Sequence, residues 1–317
     1  MNRPSPAQPL GSVRGLAREV VTDDGVKLHV EVDEPAKPTR EATSRLTVVL
    51  VHGYALNLDC WHFQRLALRA THRLVTYDQR SHGRSGRSSS EHCTIEQLGR
   101  DLADVLDQVT GPGPVVVIGH SMGAMAIMAL AEHRPEEFGA RVRGVALIST
   151  TAGGLDAEAL GLPGLPGRFL QRLTPALIAT LAKAPRLVDT GRRASSGIAL
   201  KLTRRLAFGG PVDDEIVDFT DVMLAGTPFH VVADFFPGVE VHDKTSTLHV
   251  LKQVPTVVVC GSLDAITPMD SSRQIIASEP SVELAEIAGA GHMVILERPA
   301  EVTAAIVALL SRVEVDA

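Results

Sequence analysis

The run Val115-Val-Val-Ile-Gly-His-Ser-Met-Gly-Ala-Met-Ala-Ile-Met-Ala-Leu130 constrains the fold more than any other stretch of this chain. It opens with four β-branched apolar residues, Val115 to Ile118, the pattern of a fully buried strand. It closes with Ala124 to Leu130, a run of helix formers. Between them lies Gly119-His120-Ser121-Met122-Gly123, a Gly-x-Ser-x-Gly segment. A chain that passes from strand to helix at one residue holds that residue in a strained conformation. The flanking glycines lack Cβ, so strand and helix can approach closely around the turn. Such a turn lifts the Ser121 hydroxyl clear of the backbone at the tip of a sheet.

The rest of the chain supplies that sheet. Arg18 to Thr22 and Lys27 to Val32 flank Asp23-Asp24-Gly25, a hairpin signal. Leu46 to Val51 reads as a buried strand, with His52-Gly53-Tyr54 directly after it. Asp59 is a candidate cap for a helix running to about Ala70. Arg73 to Tyr77 is the next strand, and Asp78 to Gly86 a glycine- and serine-rich loop. Apolar residues at Ile95, Leu98, Leu102, Val105 and Leu106 give Thr94 to about Val109 helical spacing, with Thr94 and Gln97 as a possible capping box. The helix after Ser121 should stop near His133, because Pro135 follows. Gly144 to Ser149, Thr256 to Cys260 and Val282 to Ile287 are further strands, and Pro299 to about Val313 is a closing helix. The alternation of strands and helices predicts an α/β fold: a mostly parallel, eight-stranded sheet with helices on both faces.

The alternation breaks between Gly153 and about Lys252. Leu170, Leu173, Leu177 and Leu181 fall on one helical face there, and Gly153 to about Phe236 reads as a helical insertion. The expected organisation is a flexible N-terminus (1–17), a core made of 18–152 and 253–317, and a helical insertion with its return connection (153–252). The 317 residues are enough for one large domain with such an insertion, or for two domains.

Charge and cysteines narrow the class. A net charge of -6 gives no reason to expect nucleic acid or an anionic membrane as a partner. The three cysteines have no metal-ligand spacing, and an odd number without a close pair fits a reducing compartment. Met1 to Gly15 has no apolar h-region of a signal peptide. No apolar run reaches the roughly 18 residues that a membrane helix needs. A cytoplasmic chain without a transmembrane segment is the expectation.

A serine hydroxyl is a poor nucleophile at neutral pH and needs a histidine base and an orienting carboxylate. Gly261-Ser-Leu-Asp264 follows the Thr256–Cys260 strand, and Gly289-Ala-Gly-His292 follows the Val282–Ile287 strand. Both lie at carboxyl ends of strands, where sites of open α/β sheets collect. Each residue alone has an ordinary explanation: Asp264 as a turn residue or cap ahead of Pro268, and His292 as one of 12 histidines. Their joint placement with Ser121 is what points to chemistry.

These pieces together resemble the α/β-hydrolase superfamily, in particular its esterase, lipase and cofactor-free haloperoxidase-like members. The resemblance rests on His52-Gly53-Tyr54, the Tyr77-Asp78-x-Arg80-x-His82-Gly83-x-Ser85 loop, Gly119 to Gly123, Asp264 with Pro268, and Gly291-His292. It spans Lys27 to the closing helix. It implies a nucleophile elbow at Ser121 and the chain order serine, acid, histidine. Asp264 fits that order. Asp156 lies several residues past its strand, Asp243 precedes the returning strand, and Asp78 comes before Ser121. The oxyanion donors implied are the N–H of Met122, at a helix start where the dipole favours negative charge, and the N–H of Tyr54. His52 reads as a turn residue and the Asp78–Ser85 loop as structural. The insertion becomes a cap, or lid.

The implied reaction is hydrolysis through an acyl-enzyme, with no metal and no organic cofactor. Serine at position 121 argues against epoxide or haloalkane chemistry, which an aspartate there would suggest. Apolar clusters in the insertion, including Leu177–Leu181 and Phe235-Phe236, favour a small-molecule carboxylic ester with an apolar acyl part. Thioester, lactone, C–C bond and perhydrolysis chemistry use the same triad. A small-ligand binding protein on a hydrolase scaffold is the reading from outside enzymology.

Overall fold

In the computed structural model, residues 8–35, 46–154 and 203–315 are described. Eight strands form one sheet: β1 (Leu16–Val21), β2 (Lys27–Asp33), β3 (Thr47–Val51), β4 (Arg73–Tyr77), β5 (Val115–His120), β6 (Val142–Ile148), β7 (Thr256–Gly261) and β8 (Glu283–Ile287). Their order across the sheet is β1-β2-β4-β3-β5-β6-β7-β8. The β1–β2 and β2–β4 pairs are antiparallel, and the pairs from β4 to β8 are parallel. The expected hairpin forms: Gly25 takes a left-handed φ of 85°, and Val21 pairs with Lys27 across the turn. The first strand opens at Leu16, two residues ahead of Arg18.

The central strands are buried on both faces, and period two divides their side chains between two cores. Val49, Val51, Val115 and Val117 face one core, which α2 (Ile95–Val105) and α3 (Met122–His133) cover with Leu102, Ile127 and Leu130. Val48, Leu50, Val116 and Ile118 face the other. There α1 (His62–Leu68) and the closing helix over Pro299–Val315 contribute Leu68, Val302, Ile306 and Leu309. The closing helix starts at its proline, the position where a missing N–H costs nothing.

Two local expectations change. Asn57, not Asp59, starts the turn after β3: its side chain accepts from the Asp59 N–H at 3.0 Å. That turn is a 3-10 helix over Leu58–Trp61, with α1 following it. Asp59 lies within the first turn, and its carboxylate pairs with Arg14 at 2.6 Å. The capping box before α2 is half built. Thr94 Oγ1 accepts from the Gln97 N–H at 3.2 Å, while the Gln97 amide donates to Asp23 and Asp101. The Gln97 Oε1 that would have turned back to the Thr94 N–H accepts from Arg100 at 3.2 Å instead.

The described part of 153–252 holds helical residues 203–207, the helices α4 (Asp214–Gly226) and α5 (Phe229–Glu240), bent 89° against each other, and a 3-10 helix over Thr245–Gln253. No single helix among the described residues is long and apolar enough to cross a membrane. The four leucines at positions 170, 173, 177 and 181 lie outside the described residues. Within the described part of 153–252 the extended pairing is one isolated bridge, Gly153 with Asp243. The α6 helix (Met269–Ser278) follows β7, and a short α7 (Val294–Glu297) follows β8.

The antiparallel edge is fastened by a buried ion cluster. Arg65 of α1 reaches Glu31 at 2.8 Å and Asp33 at 2.9 Å on β2, and all three side chains are almost fully buried. Removing the guanidinium leaves two carboxylates short of a partner, which costs far more than the net worth of the pair. Arg65→Leu should therefore lose roughly 3 kcal/mol or more, read from urea unfolding followed by circular dichroism. A loss below about 1 kcal/mol would mean that the neighbouring arginines carry these carboxylates unaided.

Candidate active site

Ser121 has φ 53° and ψ −118°, outside the regions an L-residue prefers. Its backbone is held from three sides. The Ser121 N–H donates to Ile148 O at 2.8 Å, and its carbonyl accepts from Ala124 N at 2.9 Å and from Thr150 Oγ1 at 3.1 Å. A Cβ on Gly119 would lie 2.5 Å from Ala124 N, and one on Gly123 would lie 2.2 Å from Val51 O. Both glycines are therefore required by the close approach that the turn depends on.

The loops after β7 and β8 bring Asp264 and His292 to this turn. His292 Nε2 lies 3.1 Å from Ser121 Oγ, and His292 Nδ1 lies 2.9 Å from Asp264 Oδ2 and 3.1 Å from Oδ1. An ionised carboxylate can only accept, so Nδ1 carries the imidazole proton and Nε2 is the acceptor facing the Ser121 hydroxyl. Asp264 also accepts from the N–H groups of Ile266 and Thr267, both at 2.9 Å, and from Thr267 Oγ1 at 2.8 Å. Burial pushes this carboxyl up, but the His292 ring and the Thr267 donors together hold it below the usual carboxylate range. Asp264 is thus both a turn residue and the partner of His292.

The candidate oxyanion donors sit on either side of Ser121. The Met122 N–H opens α3 and has no backbone acceptor among the described residues. Tyr54 follows Gly53, whose absent Cβ would stand 2.8 Å from His120 Nδ1 and 3.1 Å from Ser121 Cβ. The loop bearing Tyr54 therefore presses directly on the Ser121 turn.

The other histidines here are structural joints. His52 donates from Nδ1 to Gly53 O at 2.8 Å and accepts the Gln79 N–H on Nε2 at 2.9 Å, so neither nitrogen is left for chemistry. His82 donates to Arg80 O and accepts the Ala55 N–H. The Asp78–Ser85 loop is likewise structural: Asp78 accepts from Leu58 N and Arg84 N, and Arg80 is clamped by Asp101 and Asp24.

Several supports carried no sequence signal that singled them out. His120 Nε2 donates to the His292 carbonyl at 2.9 Å and ties the elbow to the histidine loop. Glu297 accepts from Gly291 N at 2.8 Å and from Gly209 N and Gly210 N, fixing that loop from behind. Thr267 adds the hydroxyl on Asp264. Spacing relative to Asp264 and His292 is the one cue that could have raised Thr267 and Glu297 for attention.

Ser121 Oγ and His292 open onto a cavity of about 640 Å³. Met122, Met125, Leu224, Phe229, Val232 and Phe236 give its wall an apolar character. Asp221, with Thr203 donating to it at 3.2 Å, is a carboxylate on that wall. Phe236 lines the cavity, whereas Phe235 is fully buried and packs in the cluster of Leu98 and Met125 behind that wall. The Phe235-Phe236 pair thus divides between packing and pocket. Among the described residues no group of three or more His, Cys, Asp or Glu is arranged to hold a metal ion.

The alpha/beta hydrolase family model matches residues 48–306, which include every one of these loops. The chain belongs to the alpha/beta hydrolase family. It is similar to the esterase PIR7B of Oryza sativa subsp. japonica, 24% identical over 281 residues that cover 86% of this chain and 98% of the relative. It is also similar to epoxide hydrolase A of Mycobacterium tuberculosis, 27% identical over 334 residues, covering 93% and 97%. Among solved structures, a thermophilic esterase from Thermogutta terrifontis superposes with a TM-score of 0.70 at 25% identity, covering 94% of this chain and 98% of that one.

Four buried imidazoles give this hydrolase a pH signature. Burial holds His52 and His242 down to about 4, and His82 and His120 down to about 3. Each binds its proton more weakly folded than unfolded, so all four are neutral in both states above about pH 6.5. As pH falls below that value the unfolded chain takes up protons first, and stability is lost down to the folded values of about 4 and 3. The loss approaches about 1.4 kcal/mol per imidazole for each pH unit. Urea midpoints measured between pH 7.5 and 4.5 should fall steeply below about pH 6.5. A flat profile would mean that these rings are protonated inside the fold.

Proposed function

We propose that this chain is a serine hydrolase that cleaves a carboxylic ester with an apolar acyl part through an acyl-enzyme. The observation that carries this reading is the continuous hydrogen-bond line Ser121–His292–Asp264 ending on an apolar cavity. In this reading His292 takes the Ser121 proton as Oγ attacks the ester carbonyl. The N–H groups of Met122 and Tyr54 stabilise the oxyanion. His292 then gives the proton to the departing alkoxide and later activates the water that releases the acyl group. Asp264 keeps the ring in the tautomer that accepts from serine and stabilises the imidazolium. Residues 153–252 are the cap over the site. The names of the rice and Thermogutta relatives, both esterases, support ester cleavage. The epoxide hydrolase similarity weighs less, because a serine stands at the position where that chemistry uses a carboxylate.

The test is hydrolysis of p-nitrophenyl esters of graded acyl length. Ser121→Ala should lower kcat by on the order of 10⁵-fold or more and abolish labelling by a fluorophosphonate. Asp264→Asn should cost on the order of 10³- to 10⁴-fold by stranding the wrong tautomer. Medium apolar acyl groups should be preferred over polar ones. Unaltered turnover in Ser121→Ala removes the mechanism, and a preference for bulky polar acyl groups removes the substrate class. A wild-type protein that is neither labelled nor active on any of the esters would leave a ligand-binding protein on a hydrolase scaffold.

A further inference from the structure

The loop that presents the Tyr54 N–H is held from outside the sheet. Its Gly53-Tyr54-Ala55-Leu56 backbone makes no strand ladder, and Ala55 sits at φ 58°, a left-handed value that a non-glycine residue keeps only under constraint. One constraint comes from the core: His82 Nε2 accepts the Ala55 N–H at 3.2 Å. Two come from the insertion. Thr227 Oγ1 donates to the Ala55 carbonyl at 3.0 Å, and the Tyr54 hydroxyl donates to the Val232 carbonyl. Thr227 ends α4 and Val232 lies in the first turn of α5, so both anchors stand at the bend between the two helices.

We infer that Tyr54 and Thr227 are positioning residues: their hydroxyls fasten the oxyanion loop to the α4–α5 bend, so that the seating of these helices sets the place of the Tyr54 N–H. This rests on the proposed role of that N–H as an oxyanion donor. Three further observations support it. Thr227 is almost fully buried, so water does not replace its bond to Ala55. Burial, with the Asp234 carboxylate nearby, pushes the Tyr54 hydroxyl well above the usual tyrosine range, so it remains a donor at any working pH. Leu224, Phe229 and Val232 of the same two helices line the cavity beside Ser121. An acyl group that fills this cavity packs against the helices that hold the loop. Binding energy from the remote end of the substrate then reaches the oxyanion geometry, and selectivity for the acyl group appears in kcat as well as in KM.

The variants are Tyr54→Phe and Thr227→Val, each of which removes a hydroxyl with little change of shape, with Thr227→Ser as the restoring control. Each is measured for kcat and KM over graded p-nitrophenyl esters. Each is also measured for inhibition by an aryl trifluoromethyl ketone, which forms a tetrahedral oxyanion adduct on the serine, and by the matching methyl ketone, which does not. Loss of either hydroxyl should lower kcat roughly 10- to 100-fold, with KM within about twofold, and flatten the dependence of kcat on acyl length. Trifluoromethyl ketone affinity should fall by the same factor as kcat, methyl ketone affinity should hold, and Thr227→Ser should recover most of the loss. Thermal melts identify any variant that does not fold. If Tyr54→Phe is lost in this way, the Thr227→Val and Thr227→Ser pair decides. Wild-type kcat and trifluoromethyl ketone affinity in the folded variants would overturn the inference while leaving the hydrolase reading intact, and so would losses confined to KM. Absence of ketone adduct and turnover in the wild type would instead remove the hydrolase reading, and this inference with it.

Discussion

The structure depends on how closely β3, β5 and α3 meet at Ser121. A single methyl on Gly123 would fall 2.2 Å from the Val51 carbonyl, and one on Gly53 would fall 2.8 Å from the His120 ring. Nothing larger than hydrogen fits at these crossings. That proximity places the end of β3, and so the Tyr54 loop, against the Ser121 turn. It also keeps Ser121 at φ 53°, a strain on the order of 1–3 kcal/mol that the surrounding hydrogen bonds offset. The parallel order of β5 to β8 then brings the loops after β7 and β8 to the same edge, where Asp264 and His292 converge on the serine.

Around that crossing the histidines divide by what their nitrogens meet. His52 and His82 each spend one nitrogen on a carbonyl and the other on a backbone N–H. His120 spends its proton on the His292 carbonyl. Burial keeps all three neutral, and they act as hydrogen-bonding joints between loops. His292 faces a carboxylate on one side and a hydroxyl on the other. The same side chain is a joint in one place and a candidate base in another, and its partners make the difference.

The sheet was legible in the sequence because its central strands are apolar runs dominated by β-branched residues, Thr47 to Val51 and Val115 to Ile118, that few other structures bury on both faces. Ser121 and Asp264 were legible because each stands just past such a run, and His292 because Gly289-Ala-Gly-His292 follows the shorter edge strand β8. Less was legible where a choice lay between equivalent polar neighbours. Asn57 and Asp59 are both good caps by residue type, and the proximity of Arg14, 45 residues earlier in the chain, drew Asp59 away. Gln97 faced a similar choice: its NH2 went to Asp23 and Asp101, and its Oε1, the atom a capping box needs, went to Arg100. The bonds from Tyr54 to Val232 and from Thr227 to Ala55 join residues more than 170 positions apart, which no local pattern encodes.

The central claim is that Ser121 carries the acyl group during turnover. Rapid-quench mass spectrometry of the intact protein with an aryl ester that deacylates slowly tests it most directly. The account predicts a mass increase equal to one acyl group, mapped by peptide digestion to Ser121 and absent from Ser121→Ala. Turnover without any adduct, or an adduct on a different residue, would contradict it.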